Sequence, residues 1–156
     1  MEPQSKLAFR LELIWWLVTA VIVAAVLLPI LTSVQSYPFL VSNIVFIIVF
    51  ITFTRYIFLL KHTFIAKRQI VKALFGLICI PILFYLINEI NFFQTYLDEQ
   101  GFDSFMQGLT LEKKDSLHRY IRSELLLFGV GSIIVAIILP VRMLISVWRL
   151  RNRGTV

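Results

Sequence analysis

The sequence has few of the residues that build catalytic, redox or metal sites. Its 156 residues include one cysteine and two histidines, and only 15% of them are charged. A lone cysteine, Cys79, excludes a disulfide framework and a C-x-x-C redox pair within the chain. The motifs of zinc proteases, of serine hydrolases and of glycine-rich phosphate-binding loops are also absent. We therefore expect a protein that is not an enzyme and that has no catalytic residue, bound metal or cofactor.

Apolar residues, in contrast, are in large excess. They make up 59% of the chain, and the mean hydropathy is +0.87, whereas a soluble domain is usually about 45–50% apolar. A domain of this length has too little interior to hide such an excess. The composition excludes a soluble enzyme, a DNA-binding domain and a disordered tail, and it predicts a small integral membrane protein.

Four apolar runs are each long enough to cross a hydrocarbon layer of about 30 Å. They lie at about 13–32, 39–60, 71–93 and 125–147. Backbone groups in lipid have to be paired within the segment, which favours helices. We predict an all-α, polytopic membrane protein, with residues 1–156 forming a single four-helix membrane domain. An amphipathic extracytoplasmic segment, about 94–124, connects the third and fourth helices.

The distribution of basic residues predicts the orientation, because lysine and arginine collect in cytoplasmic segments. The connection between the second and third runs has four bases and no acid, whereas the 94–124 segment has four bases and six acids. The bases of this connection and of the two chain ends are Lys6, Arg10, Lys61, Lys67, Arg68, Lys72, Arg149, Arg151 and Arg153. We predict a multi-pass protein of the cell (inner or plasma) membrane with cytoplasmic N- and C-termini. Its net charge of +6 then faces lipid headgroups, and no nucleic-acid partner is expected.

Three ionisable residues near the cytoplasmic ends of the runs form a candidate ion pair. Glu12, Arg55 and Arg142 lie at similar depths, so that the carboxylate can pair with either guanidinium. Charged groups within spans are costly and are candidate functional sites by default. Two interpretations remain open: arginines that extend to the headgroups with a structural ion pair, and a substrate or ion site.

A second polar cluster is expected toward the opposite membrane face. It consists of Asn43, Asn88, Glu89 and Asn91, and Glu89 lies about 25 Å along a helix from Lys72 at 1.5 Å per residue. Asparagine side chains commonly form interhelical hydrogen bonds in such bundles. The alternative is an outward-facing pocket in which Glu89 binds a cation or a proton.

The 94–124 segment carries two helical patterns. Phe102, Phe105, Met106 and Leu109 fall on one face of a helix, and Thr110 begins a second helix that runs into the fourth span. We expect the first helix to lie flat at the interface and the second to project above the membrane. The apolar face then rests on lipid, covers the bundle or docks a partner.

These patterns predict a structural or accessory membrane component of unidentified activity, without a catalytic site of its own. The alternative is a small oligomeric channel or carrier that uses the polar cluster near Glu89. The expected partners are the lipid bilayer and a protein partner or a second copy, bound through helix faces or the 94–124 segment.

Overall fold

The fold is all-helical in the part of the chain that a computed structural model describes, residues 3–60, 63 and 69–152, where no strand occurs. The helices are α1 (Pro3–Ser33), α2 (Leu40–Leu59), α3 (Gln69–Gln100), α4 (Leu111–Leu125) and α5 (Gly131–Asn152). A π-helical segment, Leu126–Val130, joins α4 to α5 without a break. This arrangement has four described helices long and apolar enough to cross a membrane, which confirms the predicted all-α chain with four candidate spans.

Several bases used to predict the orientation cannot be placed. Lys61, Lys67, Arg68 and Arg153 lie outside the described residues, as do the side chains of Lys6 and Arg151. Lys72, which the sequence pattern assigned to a connection, instead lies inside α3. The orientation across a membrane therefore stays a prediction.

Neighbouring helices run in opposite directions, as side-chain contacts near their ends demonstrate. Glu12, near the start of α1, contacts Arg55, near the end of α2. Lys72, near the start of α3, contacts Ser146, near the end of α5. We call the end of the bundle that contains these four side chains the terminal end, and the opposite end the loop end.

The core lies where α2, α3 and α5 meet. Fully buried side chains from all three helices fill it, including Ile47, Leu86 and Leu139. Gly131 of α5 lies very close to Phe50 of α2, because a Cβ atom at this glycine would be 2.7 Å from the phenyl ring. α1 packs along one side and leaves many apolar side chains exposed, which is the surface expected of a helix that contacts lipid.

Aromatic side chains close the loop end. The ring of Phe39 is 1% exposed and lies in the middle of the cluster. Five rings contact it edge-on, with centroids 4.7 to 6.3 Å away, and they belong to Tyr37, Phe92, Phe93, Tyr96 and Phe105. Edge-on aromatic pairs of this kind each contribute about 0.5–1.5 kcal/mol beyond burial, so the connections at this end are well anchored.

The predicted flat helix over residues 102–109 is not formed, and this prediction is wrong. Between Gly101 and Gly108 the chain forms a short 3-10 turn, Phe102–Ser104, and then an irregular stretch. The two glycines have φ angles of 69° and 84°. Glycine adopts such angles readily and ends a helix there. The apolar pattern is nevertheless used, because Met106 is 1% exposed and packs into the core. This part of the 94–124 segment therefore covers the bundle.

Candidate functional site

A buried polar network lies at the loop end, centred on the amide of Asn43. Its Nδ2 donates to the hydroxyl oxygen of Tyr37 at 2.8 Å and to Oε2 of Glu124 at 3.0 Å. Asn43 is fully buried, and Glu124 is 5% exposed. The network joins the connection before α2, the first turn of α2 and the last turn of α4, so it ties three parts of the chain together.

The sequence analysis missed Glu124 because it counted this residue with the acids of the 94–124 segment. The helical spacing contains the signal that would have found it. Leu117, Ile121 and Leu125 form the buried face of α4, and Glu124 lies on that face, seven residues after Leu117. A carboxylate on the apolar face of an amphipathic helix is costly to bury and needs a partner.

The network leaves hydrogen-bonding capacity unused. Oδ1 of Asn43 and Oε1 of Glu124 are buried and have no hydrogen-bond partner among the described residues. Burial raises the pKa of the Tyr37 hydroxyl, and the nearby Glu124 carboxylate raises it further. Tyr37 therefore stays neutral and can donate a hydrogen bond at any physiological pH.

A second carboxylate reaches α2 from α3. The hydroxyl of Ser42 donates a hydrogen bond to Oε2 of Glu89. Asn88 and Asn91 are exposed on α3 instead, since adjacent helical positions point about 100° apart. The structure thus divides the predicted cluster: Asn43 contacts Glu124, Glu89 contacts Ser42, and the other two asparagines lie on the surface.

Both carboxylates lie beside the N-terminal turn of α2. Phe39 is the N-cap of this helix and provides no capping side chain. The first turn of a helix carries partial positive charge from its free N–H groups, and anions near it are stabilised by about 0.3–1 kcal/mol each. The N-terminus of α2 and the donors Ser42 and Asn43 therefore offset part of the cost of burying Glu124 and of half-burying Glu89.

At the terminal end the structure brings together the predicted pair of Glu12 and Arg55. Nη2 of Arg55 lies 2.7 Å from Oε1 of Glu12, and the two side chains are 7% and 17% exposed. The guanidinium also lies over the rings of Trp15 and Tyr56, 5.5 and 5.4 Å from their centroids. Arg55 thus joins α1 to α2 by an ion pair and by cation–π contacts, which are stronger away from water.

Arg142 has a different partner from the one that the sequence suggested. Its Nε donates to the backbone carbonyl of Ile57 at 3.3 Å. Ile57 lies in the last turn of α2, where carbonyl groups lack intrahelical partners and carry partial negative charge. Arg142 therefore caps the C-terminal end of α2 from α5.

Lys72 is a further buried cation that sequence analysis did not identify as part of a site. It is 2% exposed, and its Nζ donates to Oγ of Ser146 at 3.0 Å. In the sequence it resembles an ordinary base of a connecting loop. Its position one turn inside α3, facing α5, is decided by helix packing.

The site consists of one buried ion pair and several charged side chains that contact neutral groups. Within the described ranges there is no group of three or more His, Cys, Asp or Glu side chains that could hold a metal ion. His118, on α4, stacks on the ring of Phe102 with centroids 4.0 Å apart.

Comparison of the chain with models of protein families, with curated proteins and with solved structures finds no significant match.

Proposed function

We propose that the protein is a multi-pass component of the cell membrane, with both termini cytoplasmic, that acts as a structural or accessory subunit without a catalytic site of its own. Four long apolar helices with extensive exposed apolar surface support the membrane location. The excess of bases in the connection between α2 and α3 supports the orientation.

The observation that carries the accessory role is the attachment of the 94–124 segment to the bundle. Met106, Leu117 and Ile121 are buried in the same core as the membrane helices. Tyr120 adds a hydrogen bond from its hydroxyl to the backbone carbonyl of Val26 in α1, at 2.8 Å. The apolar side of the segment is therefore occupied, and a fixed, charged surface faces outward as a contact site for a protein partner.

Photo-crosslinking in cells tests this role. A photoreactive residue at Glu112 or Asp115, both exposed on α4, is expected to give one discrete protein adduct. The same residue at Leu144, exposed on the apolar side of α5, is the control and is expected to give only lipid adducts. Absence of a discrete adduct at both α4 positions would contradict the accessory role.

Cysteine labelling tests the orientation, in a variant in which the buried Cys79 is replaced by serine. Gln100→Cys at the end of α3 is expected to react with an impermeant thiol reagent in intact cells. Gln69→Cys at the start of α3 is expected to react only after the membrane is opened. The reverse pattern would invert the proposed topology.

A second candidate function is a small oligomeric channel or carrier for a cation or a proton. The observation that favours it is the pair of carboxylates, Glu89 and Glu124, held beside α2 by the neutral donors Ser42 and Asn43. In liposomes, a flux that Glu89→Gln abolishes and the exposed-site control Glu112→Gln preserves would establish this function. Absence of any flux would exclude it.

A further inference from the structure

One cleft on the bundle combines apolar and cationic side chains. It has a volume of about 290 Å³ and lies between α3 and the continuous helix formed by α4, the π-helical segment and α5. Its lining includes Ile90 and Gln94 of α3 and His118 and Arg122 of α4. The polar members belong to the part of the cleft nearer the loop end.

The chemistry of the cleft changes along its length. His118, Arg122, Leu126 and Val130 recur every four residues along the continuous helix and all line the cleft. In a regular α-helix a repeat of four drifts steadily around the axis. The wider turn of the π-helical segment counteracts this drift and keeps the four side chains on one surface. The part of the cleft nearer the loop end, which we call the upper part, is therefore cationic. The part nearer the middle of the bundle, which we call the lower part, is apolar.

The lower part is open on the outer surface of the bundle. Leu126 and Val130 are 59% and 40% exposed although they lie in an apolar stretch of helix. On a membrane protein such side chains face the hydrocarbon layer. An acyl chain can thus enter the lower part of the cleft directly from the bilayer.

The upper part has a free cation. Arg122 is exposed on α4 and makes no ion pair with any residue in the described ranges, whereas its neighbour Arg119 is paired with Asp115 at 3.7 Å. A guanidinium stays charged at all relevant pH values and binds phosphate oxygens through two parallel hydrogen bonds. His118 and Gln94, whose side chains can each donate a hydrogen bond, also line the cleft.

We propose that this cleft binds one anionic phospholipid, with its phosphate group on Arg122 and an acyl chain along Leu126 and Val130. The larger groove between α1 and α2 lacks a charged side chain, so it gives no reason to select a headgroup. The proposal rests on the membrane insertion proposed above but does not depend on the accessory role.

The test measures which lipids remain bound to the full-length protein. The protein is reconstituted in vesicles with equal amounts of phosphatidylglycerol and phosphatidylcholine, extracted gently, and analysed by native mass spectrometry. Flotation of the vesicles establishes insertion separately, so that a protein that inserts but shows no lipid preference contradicts this proposal alone.

Two matched pairs of variants locate the site. Arg122→Gln is expected to lower the enrichment of phosphatidylglycerol about five-fold, as expected for about 1 kcal/mol per basic side chain at a membrane surface. Arg119→Gln, with the same loss of charge on the same helix, is expected to leave the enrichment unchanged. Leu126→Trp, which fills the apolar part, is expected to remove the retained lipid, and the equally exposed Leu127→Trp outside the cleft to retain it.

The proposal is overturned if Arg122→Gln keeps the wild-type enrichment, or if Arg119→Gln reduces it as much. It is also overturned if Leu127→Trp loses lipid to the same extent as Leu126→Trp, because the binding would then have no defined place on the bundle.

Discussion

The two ends of the bundle bury opposite charges, and α2 connects them. At the loop end, Glu89 and Glu124 accept hydrogen bonds from the neutral side chains of Ser42 and Asn43. At the terminal end, cations dominate: Arg55 pairs with an acid, while Arg142 and Lys72 donate to neutral oxygens.

The direction of α2 accounts for this difference. Its N-terminal turn, with partial positive charge, lies among the acids, and its C-terminal turn, with partial negative charge, lies beside Arg55 and Arg142. The kind of partner adds a second factor. At the terminal end a buried guanidinium is paired with a carboxylate, whereas the acids of the loop end accept hydrogen bonds from neutral groups. We therefore expect the removal of partners to have different consequences at the two ends.

The largest effect is expected at the ion pair of the terminal end. Glu12→Ala leaves the Arg55 guanidinium, whose side chain is 7% exposed, without an acid. Breaking a buried ion pair by removing one partner typically costs about 3–5 kcal/mol. Because the carboxylate is partly accessible, we expect a loss near the lower limit, about 3 kcal/mol, in the free energy of unfolding in detergent micelles. The exposed-site control is Glu112→Ala on α4, and a loss as small as that of the control would mean that Arg55 extends to water instead.

A smaller loss is expected in the network of the loop end. Asn43→Ala removes the donor to the Glu124 carboxylate and to Tyr37. Each of these two hydrogen bonds contributes about 0.5–1.5 kcal/mol, so we expect a loss of about 2 kcal/mol in the same unfolding assay. Asn88→Ala, at an exposed position on α3, is the control.

The double variant Asn43→Ala with Glu124→Gln sharpens this result. Burial raises the pKa of Glu124 to about 7. Above that pH the amide of Glu124→Gln replaces an unpaired buried charge, so part of the lost stability should return. If Glu124→Gln makes the Asn43→Ala protein less stable still, the charge of Glu124 is not what makes the network costly.

The smallest effect is expected at the contact between α2 and α3. Ser42→Ala removes one hydrogen bond to Glu89, which also lies near the first turn of α2. We expect a loss of about 1 kcal/mol, measured as above, with Ser116→Ala on the exposed side of α4 as the control. If Ser42→Ala loses more stability than Asn43→Ala, then Glu89 depends more on its donor than Glu124 does, which contradicts this prediction.

Several of these features are visible in the sequence, for physical reasons. The four long apolar helices follow from hydropathy alone, and Thr110 precedes the first residue of α4 as predicted. The predicted helix over 102–109 failed because periodicity identifies a face to be buried but does not specify the backbone, and two glycines with positive φ interrupt it. The correct conclusion from that pattern is burial of Met106, not a helix.

Some contacts of the candidate residues could be predicted from the sequence, and others could not. Glu12 and Arg55 have complementary charges at similar depths, so their contact follows from antiparallel neighbouring helices. The contact of Asn43 with Glu124 joins residues 81 positions apart. The helical spacing identifies the buried face of α4, but it does not state that this face meets the first turn of α2.

The sequence by itself therefore determined the all-helical fold class, the number of long apolar helices and the ionisable groups that are costly to bury. These properties depend on the transfer of residues from water, and each residue contributes locally. The tertiary structure alone decided the partners: Glu124 with Asn43, Glu89 with Ser42, and Arg142 with a backbone carbonyl. Partner choice depends on the rotation and contact of whole helices, which are set by packing over the entire bundle.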